Sequence, residues 1–253
     1  MKRLFANANL RALHQLSRSD VLLAFDFDGT LAPIVADREL AGMRERTEQL
    51  FSLVCEHYPC AVISGRSRAD VAARLAGARV KHVSGNHGIE PGGDLAAYAR
   101  DVGALRLVLE HRLSGARGIE IEDKGYSLAV HYRTARSKRR AREQIHQALT
   151  ALQVRVVAGK QVVNVLPEHA AHKGTALMHL CELEGANNAF FIGDDVTDED
   201  VFSLPDSHRV FSVRVGQSRR SHARYFIRDQ HEIDRLLERL LEFRIESELG
   251  VLG

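Results

Sequence analysis

Short apolar runs alternate with helical stretches along the first third of the chain. The near-continuous apolar run VLLAFDFD at residues 21–28 predicts a strand buried on both faces of a parallel sheet. CAVIS at 60–64 predicts a second strand, and VKHVSGNHG at 80–88 predicts a third that runs into a glycine-rich loop. Helical spacing around residues 44–57 and 67–76 predicts the helices between them. Strands that alternate with helices indicate an α/β fold with a parallel sheet.

The pattern changes after this region. Residues 98–113 are predicted to be helical, and IEIED and YSLAVHYR then alternate polar and apolar positions around a KG turn, which is typical of a hairpin. A helix at 137–149 and a second hairpin, VRVV–AGK–QVVNV, follow. Two hairpins with two helices predict an antiparallel sheet covered on one face. We therefore expect an inserted α/β domain at residues 98–169, within a core formed by residues 1–97 and 170–253.

The α/β pattern resumes after the insertion. It predicts a helix at 173–184, the strand AFFIGDD at 189–195, a helix from Asp198, and further strand and helix to about residue 245. The first 20 residues carry no pattern that tells whether they pack on the core.

Composition narrows the class of protein. The chain has 253 residues, of which 45% are hydrophobic, and 35 basic against 33 acidic side chains give a net charge of +2, unlike a nucleic-acid-binding protein. The basic run RTARSKRRAR at 133–142 lacks interleaved aromatics and continues as an amphipathic helix, so we interpret it as a solvated face. No apolar run is long enough to span a membrane. No cleavable leader is recognisable at the amino end. Three scattered cysteines, Cys55, Cys60 and Cys181, indicate reduced core thiols, and we expect a cytoplasmic monomer.

Carboxylates gather where the predicted parallel strands end. Asp26 and Asp28 close the first strand, where residues two apart point to the same side, so both can reach one site. Ser64 and the pair Asp194–Asp195 close two other strands, and the GNHG loop at 85–88 follows a fourth. Ligands bind at this edge of an open parallel sheet. So many carboxylates require a cation, and Mg²⁺, which takes hard oxygen ligands together with a substrate phosphate, fits them.

A phosphate-binding group stands next to these carboxylates in the predicted fold. Lys173 opens a helix, whose first N–H groups and positive dipole end favour an anion. Each element alone has a simpler interpretation: DG is a common turn, GDDVTDED is typical of an acidic, N-capped helix start for Asp198 and Glu199, and Lys173 could be a surface lysine. Their occurrence together, in this order, favours a phosphate site.

The four segments together resemble a known superfamily. DFDGTL, Ser64 after a buried strand, a lysine that opens a helix, and GDDVTDED are similar to the signatures of the haloacid dehalogenase-like (HAD) phosphohydrolases. SGR at 64–66, KGYSLAVHYR and GDDVTDED resemble the trehalose-6-phosphate phosphatase family in particular. The resemblance implies a Rossmann-like parallel-sheet core with an inserted α/β cap of the C2 type. It also implies an Mg²⁺-dependent phosphatase of trehalose 6-phosphate that acts in trehalose biosynthesis.

The resemblance also implies roles for the core residues. Asp26 would attack phosphorus and form an aspartyl-phosphate, and Asp28 would act as general acid and then as general base. Mg²⁺ would bind the Asp26 side chain, the Asp28 backbone carbonyl and Asp194. Ser64 and Lys173 would hold the phosphoryl oxygens. Asp195 and Asp198 would support this shell or cap the following helix.

Further positions are candidates to contact the substrate, with the cap closing over the core to supply sugar specificity. Beside Asp26, Asp28 and Ser64 they are Phe27, Gly65, Arg66, Asn86, His87, Glu122, Lys124, His131, Arg133 and Glu168. Two features depart from the family pattern: Asn164 stands where many members have Glu, and the stretch from Pro167 to Lys173 is longer than in many bacterial members. Glu168 is a candidate to replace the missing Glu.

Two alternatives remain open at this point. The substrate could be another sugar phosphate, such as sucrose phosphate or a glycosyl-phosphoglycerate. A non-catalytic sugar-phosphate sensor is the alternative from another class, but Asp26, Asp28 and Lys173 are all present, which favours an enzyme.

Overall fold

The computed structural model describes residues 1–75, 77–92, 94–159, 161–205 and 207–251. Its strands are β1 (Lys2–Arg3), β2 (Val21–Phe25), β3 (Cys60–Ile63), β4 (His82–Ser84), β5 (Glu120–Asp123), β6 (Leu128–His131), β7 (Val154–Gly159), β8 (Val162–Pro167), β9 (Asn188–Gly193), β10 (Val210–Val215) and β11 (Tyr225–Ile227). Its helices are α1 (Asn7–Ser17), α2 (Glu45–His57), α3 (Arg68–Arg74), α4 (Leu95–Arg112), α5 (Lys138–Leu149), α6 (Lys173–Glu184), α7 (Glu199–Phe202) and α8 (Glu232–Val251).

The strands form two sheets, which confirms the predicted fold class. Seven parallel strands lie in the order β1-β11-β10-β9-β2-β3-β4, and four antiparallel strands lie in the order β5-β6-β8-β7. The chain divides into two compact units. One unit is Met1–Pro91 with His172–Gly253, and the other is Gly92–Ala171. We call the first the core unit and the second the inserted unit; the sequence-based domain limits, 98 and 169, fall inside the inserted unit.

Both faces of the parallel sheet are covered, which explains the continuous apolar run of β2. Leu23 and Phe25 belong to a cluster with α2 and α8, and the Phe25 and Phe51 ring centroids are 5.3 Å apart. Leu22 and Ala24, on the opposite face, belong to a second cluster with α6. A strand buried on both faces cannot alternate, and each large apolar side chain that it buries contributes roughly 1.5–3 kcal/mol.

The inserted unit has its own apolar cluster on one face of the four-stranded sheet. Leu128 and Val130 of β6 and Val163 and Val165 of β8 pack with buried residues of α4 and α5. Residues between these positions lie on the opposite face. The predicted antiparallel sheet covered on one face is therefore confirmed.

The first residues are part of the core unit. Lys2 and Arg3 pair with Tyr225 and Phe226 of β11, at the edge of the parallel sheet. Leu4 and, from α1, Leu13 are completely buried. The strand in this segment has only two residues, and the helix is short and packs through one face. Patterns of this length could not be recognised in the sequence.

Several elements end earlier than predicted. β2 ends at Phe25 and β9 at Gly193, so Asp26, Asp28 and Asp194 lie beyond their strands. The strand argument for the alignment of Asp26 with Asp28 is therefore wrong: after Asp26 the chain turns, with the Ala32 N–H donating to the Phe27 carbonyl (2.9 Å). The helix predicted from Asp198 is the single turn α7.

Two composition-based predictions can be compared with the described residues. Cys55, Cys60 and Cys181 are buried free thiols. No helix in the described ranges combines the length and apolar character needed to cross a membrane.

Candidate active site

One lysine joins two carboxylates at the carboxyl edge of the parallel sheet. Asp26 follows β2 directly, and its backbone N–H continues the ladder to Ile192 of β9 (2.9 Å). Lys173 is the first residue of α6, and its Nζ lies 2.7 Å from Asp26 Oδ1 and 2.7 Å from Asp198 Oδ1. All three side chains are almost completely buried. The simpler interpretation of Lys173 as a surface lysine is therefore excluded.

A third carboxylate completes an acidic cluster. Oxygen atoms of Asp26, Asp194 and Asp198 lie within 4.8 Å of one another. Asp198 is already engaged, because Oδ1 accepts from Lys173 and Oδ2 accepts from the Asp195 N–H (2.8 Å). Asp194 Oδ1 is buried and makes no hydrogen bond within the described chain. Such an orphaned anionic oxygen in a group of three carboxylates with one ammonium suits a bound cation.

The pKa values of this cluster report its excess negative charge. Burial raises the pKa of Asp194 to about 7, and the charges of Asp198 and Asp195 add to the rise. Burial also raises the pKa of Asp26 well above its usual range, against the opposing effect of Lys173. Burial alone would lower the pKa of Lys173, but Asp198 and Asp26 outweigh it and hold that pKa above its usual value. The ammonium stays charged, and a second cation would relieve the remaining repulsion.

Two glycines allow the carboxylates to approach the backbone. Gly29, in the turn after β2, has φ +81°, and a Cβ built on it would overlap the carboxylate of Asp194. A Cβ on Gly193, the last residue of β9, would overlap the carboxylate of Asp198. These contacts explain the glycines of the DFDGTL and GDDVTDED segments as space for side chains rather than as flexibility.

Asp28 is held by an arginine instead of lying beside Asp26 on a strand. Arg66 Nε and Nη2 donate to the two Asp28 oxygens at 2.6 and 2.7 Å, and Nη1 donates to Asp70 (2.7 Å). Asp70 in turn accepts from Arg74 (2.8 Å). The Arg66 side chain is 3% exposed, whereas that of Asp28 is 37% exposed. The bonds to Asp28 raise the pKa of Arg66, which therefore keeps its charge. The substrate contact of Arg66 stays a prediction; its guanidinium binds both oxygens of Asp28.

The Ser64 loop and the GNHG loop are joined by backbone hydrogen bonds. Ser64 is buried, and its carbonyl accepts from the His87 N–H (2.9 Å), while the Asn86 N–H donates to the Arg66 carbonyl (2.7 Å). Gly65 lies so close to the His87 ring that a Cβ would lie 2.9 Å from Nε2. Phe27 is completely buried. The core-unit candidates are thus held around the ends of β2 and β3.

The first turn of α6 has a side-chain cap. His172 Nδ1 accepts from the N–H groups of Gly174 (3.2 Å) and Thr175 (3.3 Å), and Thr175 Oγ1 accepts from the His172 N–H (2.9 Å). This reciprocal pair satisfies helix N–H groups that would otherwise lack partners. It also fixes the backbone at Lys173, which stands between them.

The candidate sugar contacts belong to the inserted unit. Glu122 Oε2 of β5 and His131 Nε2 of β6 lie 2.7 Å apart, at hydrogen-bond distance, on the face opposite the apolar cluster. Asn164 pairs with Ala129, which pairs with Glu122, so Asn164 lies in the same cross-strand row.

The other three predicted contacts of the inserted unit lie just beyond the ends of its strands. Lys124 lies in the turn after β5, where its N–H donates to Ser127 (2.9 Å), and Arg133 lies exposed in the turn after β6. Glu168 follows the end of β8 and lines a pocket of about 520 Å³ with Asp101 and His169. Its contact with the sugar stays a prediction.

The model of the family described as trehalose-phosphatase matches residues 24–231, which is most of the chain. The chain belongs to the trehalose-phosphatase family. It is therefore a phosphoric monoester hydrolase that acts on trehalose 6-phosphate, with an aspartate cluster of the HAD type. The predicted enzyme class is confirmed.

Individual relatives agree with this membership. Probable trehalose-phosphate phosphatase 3 of Oryza sativa is 28% identical over 92% of this chain and 73% of the relative. Trehalose-phosphate phosphatase of Mycobacterium tuberculosis is 33% identical over 79% of this chain and 56% of the relative, so the chain spans about half the length of that protein. The C-terminal domain of C. albicans trehalose-6-phosphate phosphatase shares the fold, with a TM-score of 0.77, 22% identity, and coverage of 96% and 99% of the two chains.

Asp198 was expected to support the site or to cap α7; its side chain makes no cap bond to α7 and supports the site by pairing with Lys173. Asp70, which holds Arg66, and Arg214, which holds the turn at Asp194, were not identified. The spacing of Arg66 and Asp70, four residues apart, was an available signal. Arg214 lies on another strand, and no local pattern connects it with Asp194.

Proposed function

We propose that this chain hydrolyses trehalose 6-phosphate in two displacements on Asp26, with Mg²⁺ in the cluster of Asp26 and Asp194. The observation that carries the proposal is the orphaned, buried oxygen of Asp194 beside the Asp26–Lys173 ion pair, in a chain of the trehalose-phosphatase family. Mg²⁺ suits these hard oxygen donors and a substrate phosphate.

In the first displacement, a carboxylate oxygen of Asp26 forms a bond to phosphorus. The bond between phosphorus and the sugar oxygen breaks, its electron pair goes to that oxygen, and Asp28 donates the proton that makes it a hydroxyl. Lys173 fixes the Asp26 carboxylate through Oδ1, and Arg66 fixes Asp28 through both of its oxygens. Trehalose leaves and the phosphoryl group stays on Asp26.

In the second displacement, Asp28, now ionised, takes a proton from water. The water oxygen bonds to phosphorus, the bond from phosphorus to Asp26 breaks, and the Asp26 carboxylate is restored with release of phosphate. Ser64 and Lys173 hold phosphoryl oxygens in both steps. Arg66 binds both Asp28 oxygens and so holds Asp28 in place.

The metal supplies charge neutralisation at the phosphoryl oxygens, which lowers the barrier to attack by an anionic carboxylate. Asp26 and Asp194 would hold it, together with the Asp28 carbonyl. Asp198 supports these ligands indirectly, because its oxygens accept hydrogen bonds from Lys173 and from the Asp195 N–H. Asp194 Oδ1 is the donor whose environment most requires a cation.

The sugar contacts are proposed for the open face of the four-stranded sheet. Glu122 and His131 offer an acceptor and a donor side by side, and sugar hydroxyls bind such pairs. Asn164, in the same row, offers an amide where many relatives have a carboxylate. Lys124 and Arg133, in adjacent turns, complete the proposed set.

Phosphate release from a panel of sugar phosphates, with and without Mg²⁺, tests the reaction. Wild type should release phosphate from trehalose 6-phosphate only with the metal, and Asp26→Asn should be inactive. Asp20→Asn is the matched control, because Asp20 precedes β2 as Asp26 follows it. Metal-independent release, or an active Asp26→Asn variant, would contradict the mechanism; release from a different sugar only would contradict the sugar assignment.

A second comparison tests the sugar contacts. Glu122→Gln should raise KM for trehalose 6-phosphate and leave turnover of p-nitrophenyl phosphate unchanged, because that ester lacks the sugar. Glu120→Gln, two residues earlier on the same face of β5, is the matched control. Equal effects of Glu122→Gln on both substrates would show that Glu122 does not contact the sugar.

A further inference from the structure

A single arginine holds the backbone turn that carries Asp194. Arg214 lies on β10, the neighbour of β9, and its position pairs with Gly193 at the end of that strand. Its Nη2 donates to the Asp194 carbonyl, and its Nη1 donates to the Asp195 carbonyl (3.1 Å). The turn that follows β9 is therefore bound through two consecutive carbonyl oxygens to one planar guanidinium.

The arginine is itself held in place. Glu199 Oε1 lies 3.3 Å from Arg214 Nη1, and Glu199 Oε2 accepts from the His222 backbone N–H (2.9 Å). The Arg214 side chain is 16% exposed, so part of its charge is shielded from water. This network contacts neither Asp26 nor Lys173 among the described hydrogen bonds, and the reaction steps above do not use it.

The turn needs such a restraint because the Asp194 side chain is in an electrostatically unfavourable position. The Asp194 carboxylate lies within the acidic cluster, with Asp198 close by and one oxygen without a partner. Repulsion between carboxylates favours rotation of Asp194 away from the cluster, which would carry its oxygen away from a cation. The Asp195 N–H is bound to Asp198 from one side, and Arg214 binds the carbonyls from the other.

We propose that Arg214 is a positioning residue for the cation site, which clamps the Asp194–Asp195 turn so that the Asp194 carboxylate is held ready for the metal. The proposal rests on the metal dependence of the proposed function. Arginine suits this task because its rigid fork reaches two carbonyls and a carboxylate together, whereas a lysine ammonium is a point charge on a flexible stem. Outer contacts that fix metal ligands typically change metal affinity by roughly tenfold to a hundredfold.

The same two strands provide a matched control. Arg209 lies just before β10, at its opposite end, and also donates to two consecutive backbone carbonyls, those of Asn187 (2.9 Å) and Ala186 (3.3 Å). Substitution of Arg209 removes the same kind of contact from the amino end of β9. A change that appears only at Arg214 therefore reports the cation site and not a general loss of strand anchoring.

Direct binding of Mn²⁺ is the measurement, with the free ion followed by its electron paramagnetic resonance signal. Wild type, Arg214→Met, Arg214→Lys, Glu199→Gln and Arg209→Met are each titrated, and folding of each is checked by circular dichroism. We expect Arg214→Met to weaken Mn²⁺ binding roughly tenfold to a hundredfold. Arg214→Lys and Glu199→Gln should show smaller losses in the same direction, and Arg209→Met should bind as wild type does.

Kinetics supply a second readout that a purely structural role would not move. With saturating Mg²⁺, Arg214→Lys should keep a kcat and a KM for sugar phosphate near those of wild type, while its half-saturating Mg²⁺ concentration rises. Wild-type Mn²⁺ affinity in folded Arg214→Met and Arg214→Lys would overturn the proposal, as would an equal loss in Arg209→Met. If wild type itself binds no Mn²⁺, the metal-dependent reaction is wrong and the proposal falls with it.

Discussion

Gly29 determines how closely the turn after β2 can approach Asp194. Its φ of +81° is unfavourable for any residue with a Cβ, and that Cβ would also overlap the Asp194 carboxylate. We expect Gly29→Ala to lower kcat by about a hundredfold, because displacement of a reacting group by about 1 Å has an effect of that size. Steady-state kinetics at saturating Mg²⁺ would measure the loss.

Gly77 is a control that separates backbone strain from overlap with the Asp194 carboxylate. Its φ is +80°, but within the described residues a Cβ there would meet no heavy atom within 4 Å. Gly77→Ala should cost about 1–2 kcal/mol in free energy of unfolding through backbone strain alone, with kcat unchanged. Full activity in Gly29→Ala, or an equal loss in both variants, would contradict the importance of the contact with Asp194.

Asp194 links metal binding to pH. Burial, with Asp198 and Asp195, raises its pKa to about 7, so without metal the carboxyl binds a proton below that pH. A cation must displace this proton, and its apparent affinity should fall at least about tenfold per pH unit below about pH 7. Mg²⁺-induced shifts in thermal unfolding, measured between about pH 8 and about pH 5, would test this. An affinity that does not change over this range would show that Asp194 is not a ligand.

The cap at the start of α6 fixes the backbone at Lys173, which is proposed to hold phosphoryl oxygens. His172 accepts from two helix N–H groups, and Lys173 follows it directly. We expect His172→Ala to lower the free energy of unfolding by about 1 kcal/mol, the usual effect of removing such a cap, and to lower kcat more than it raises KM. Urea unfolding and steady-state kinetics would measure both changes.

His172→Asn is the conservative companion of this change. Asparagine is among the best residues at this position, so it should restore most of the stability and the activity. If His172→Ala is as stable and as active as wild type, the cap has no role in placing Lys173.

The sequence predicted most of the elements and fewer of their limits. The helix predicted at 173–184 has the same limits as α6. Its ends are well marked, because the cap residue His172 precedes Lys173 and Gly185, in the left-handed region, follows the last residue. Asp26 and Asp28 were assigned to the strand, because the near-continuous apolar run extends through Phe27. Phe27 is buried in the turn itself, and such tertiary burial leaves the same mark in a sequence as a strand.

The candidate site was predictable where its residues lie next to strand ends and was not predictable beyond them. Asp26, Ser64, Lys173 and Asp194 could be identified from local patterns. Arg214 contacts Asp194 only because β10 lies beside β9, and strand order cannot be read from composition or periodicity. Arg66 could be located but not assigned, because its partners depend on the turn after β2.

The core unit and the inserted unit have separate hydrophobic clusters. The described apolar clusters of the core unit and of the inserted unit each draw their residues from one unit. The two ends of the core segments are neighbours: a Cβ on Gly88 would lie 2.7 Å from the His172 carbonyl oxygen. A short glycine–serine linker in place of residues 92–171 should therefore leave a folded core.

This shortened chain tests whether the core unit carries the phosphatase reaction and the inserted unit recognises the sugar. It should hydrolyse p-nitrophenyl phosphate when the metal is present, because Asp26, Lys173 and Asp194 are retained. Its preference for trehalose 6-phosphate should fall at least about tenfold, because the loss of one sugar contact is enough for a change of that size. Circular dichroism and the ratio of kcat/KM values would show this. An unfolded chain would contradict the independence of the core, and unchanged preference would contradict the role of the inserted unit in sugar recognition.

The pairing of β2 with β9 has a consequence during synthesis of the chain. Val21 lies opposite Asn188, so the strand that leads to Asp26, the proposed nucleophile, meets one neighbour only after the whole inserted unit has left the ribosome. Until then its buried side chains face solvent on that edge, while the inserted unit, whose contacts are local, can already fold. Limited proteolysis of ribosome-stalled chains should find the inserted unit protected first. The proposed nucleophile, Asp26, is synthesised early, but its site is completed only late, so we expect unfinished chains to have no phosphatase activity.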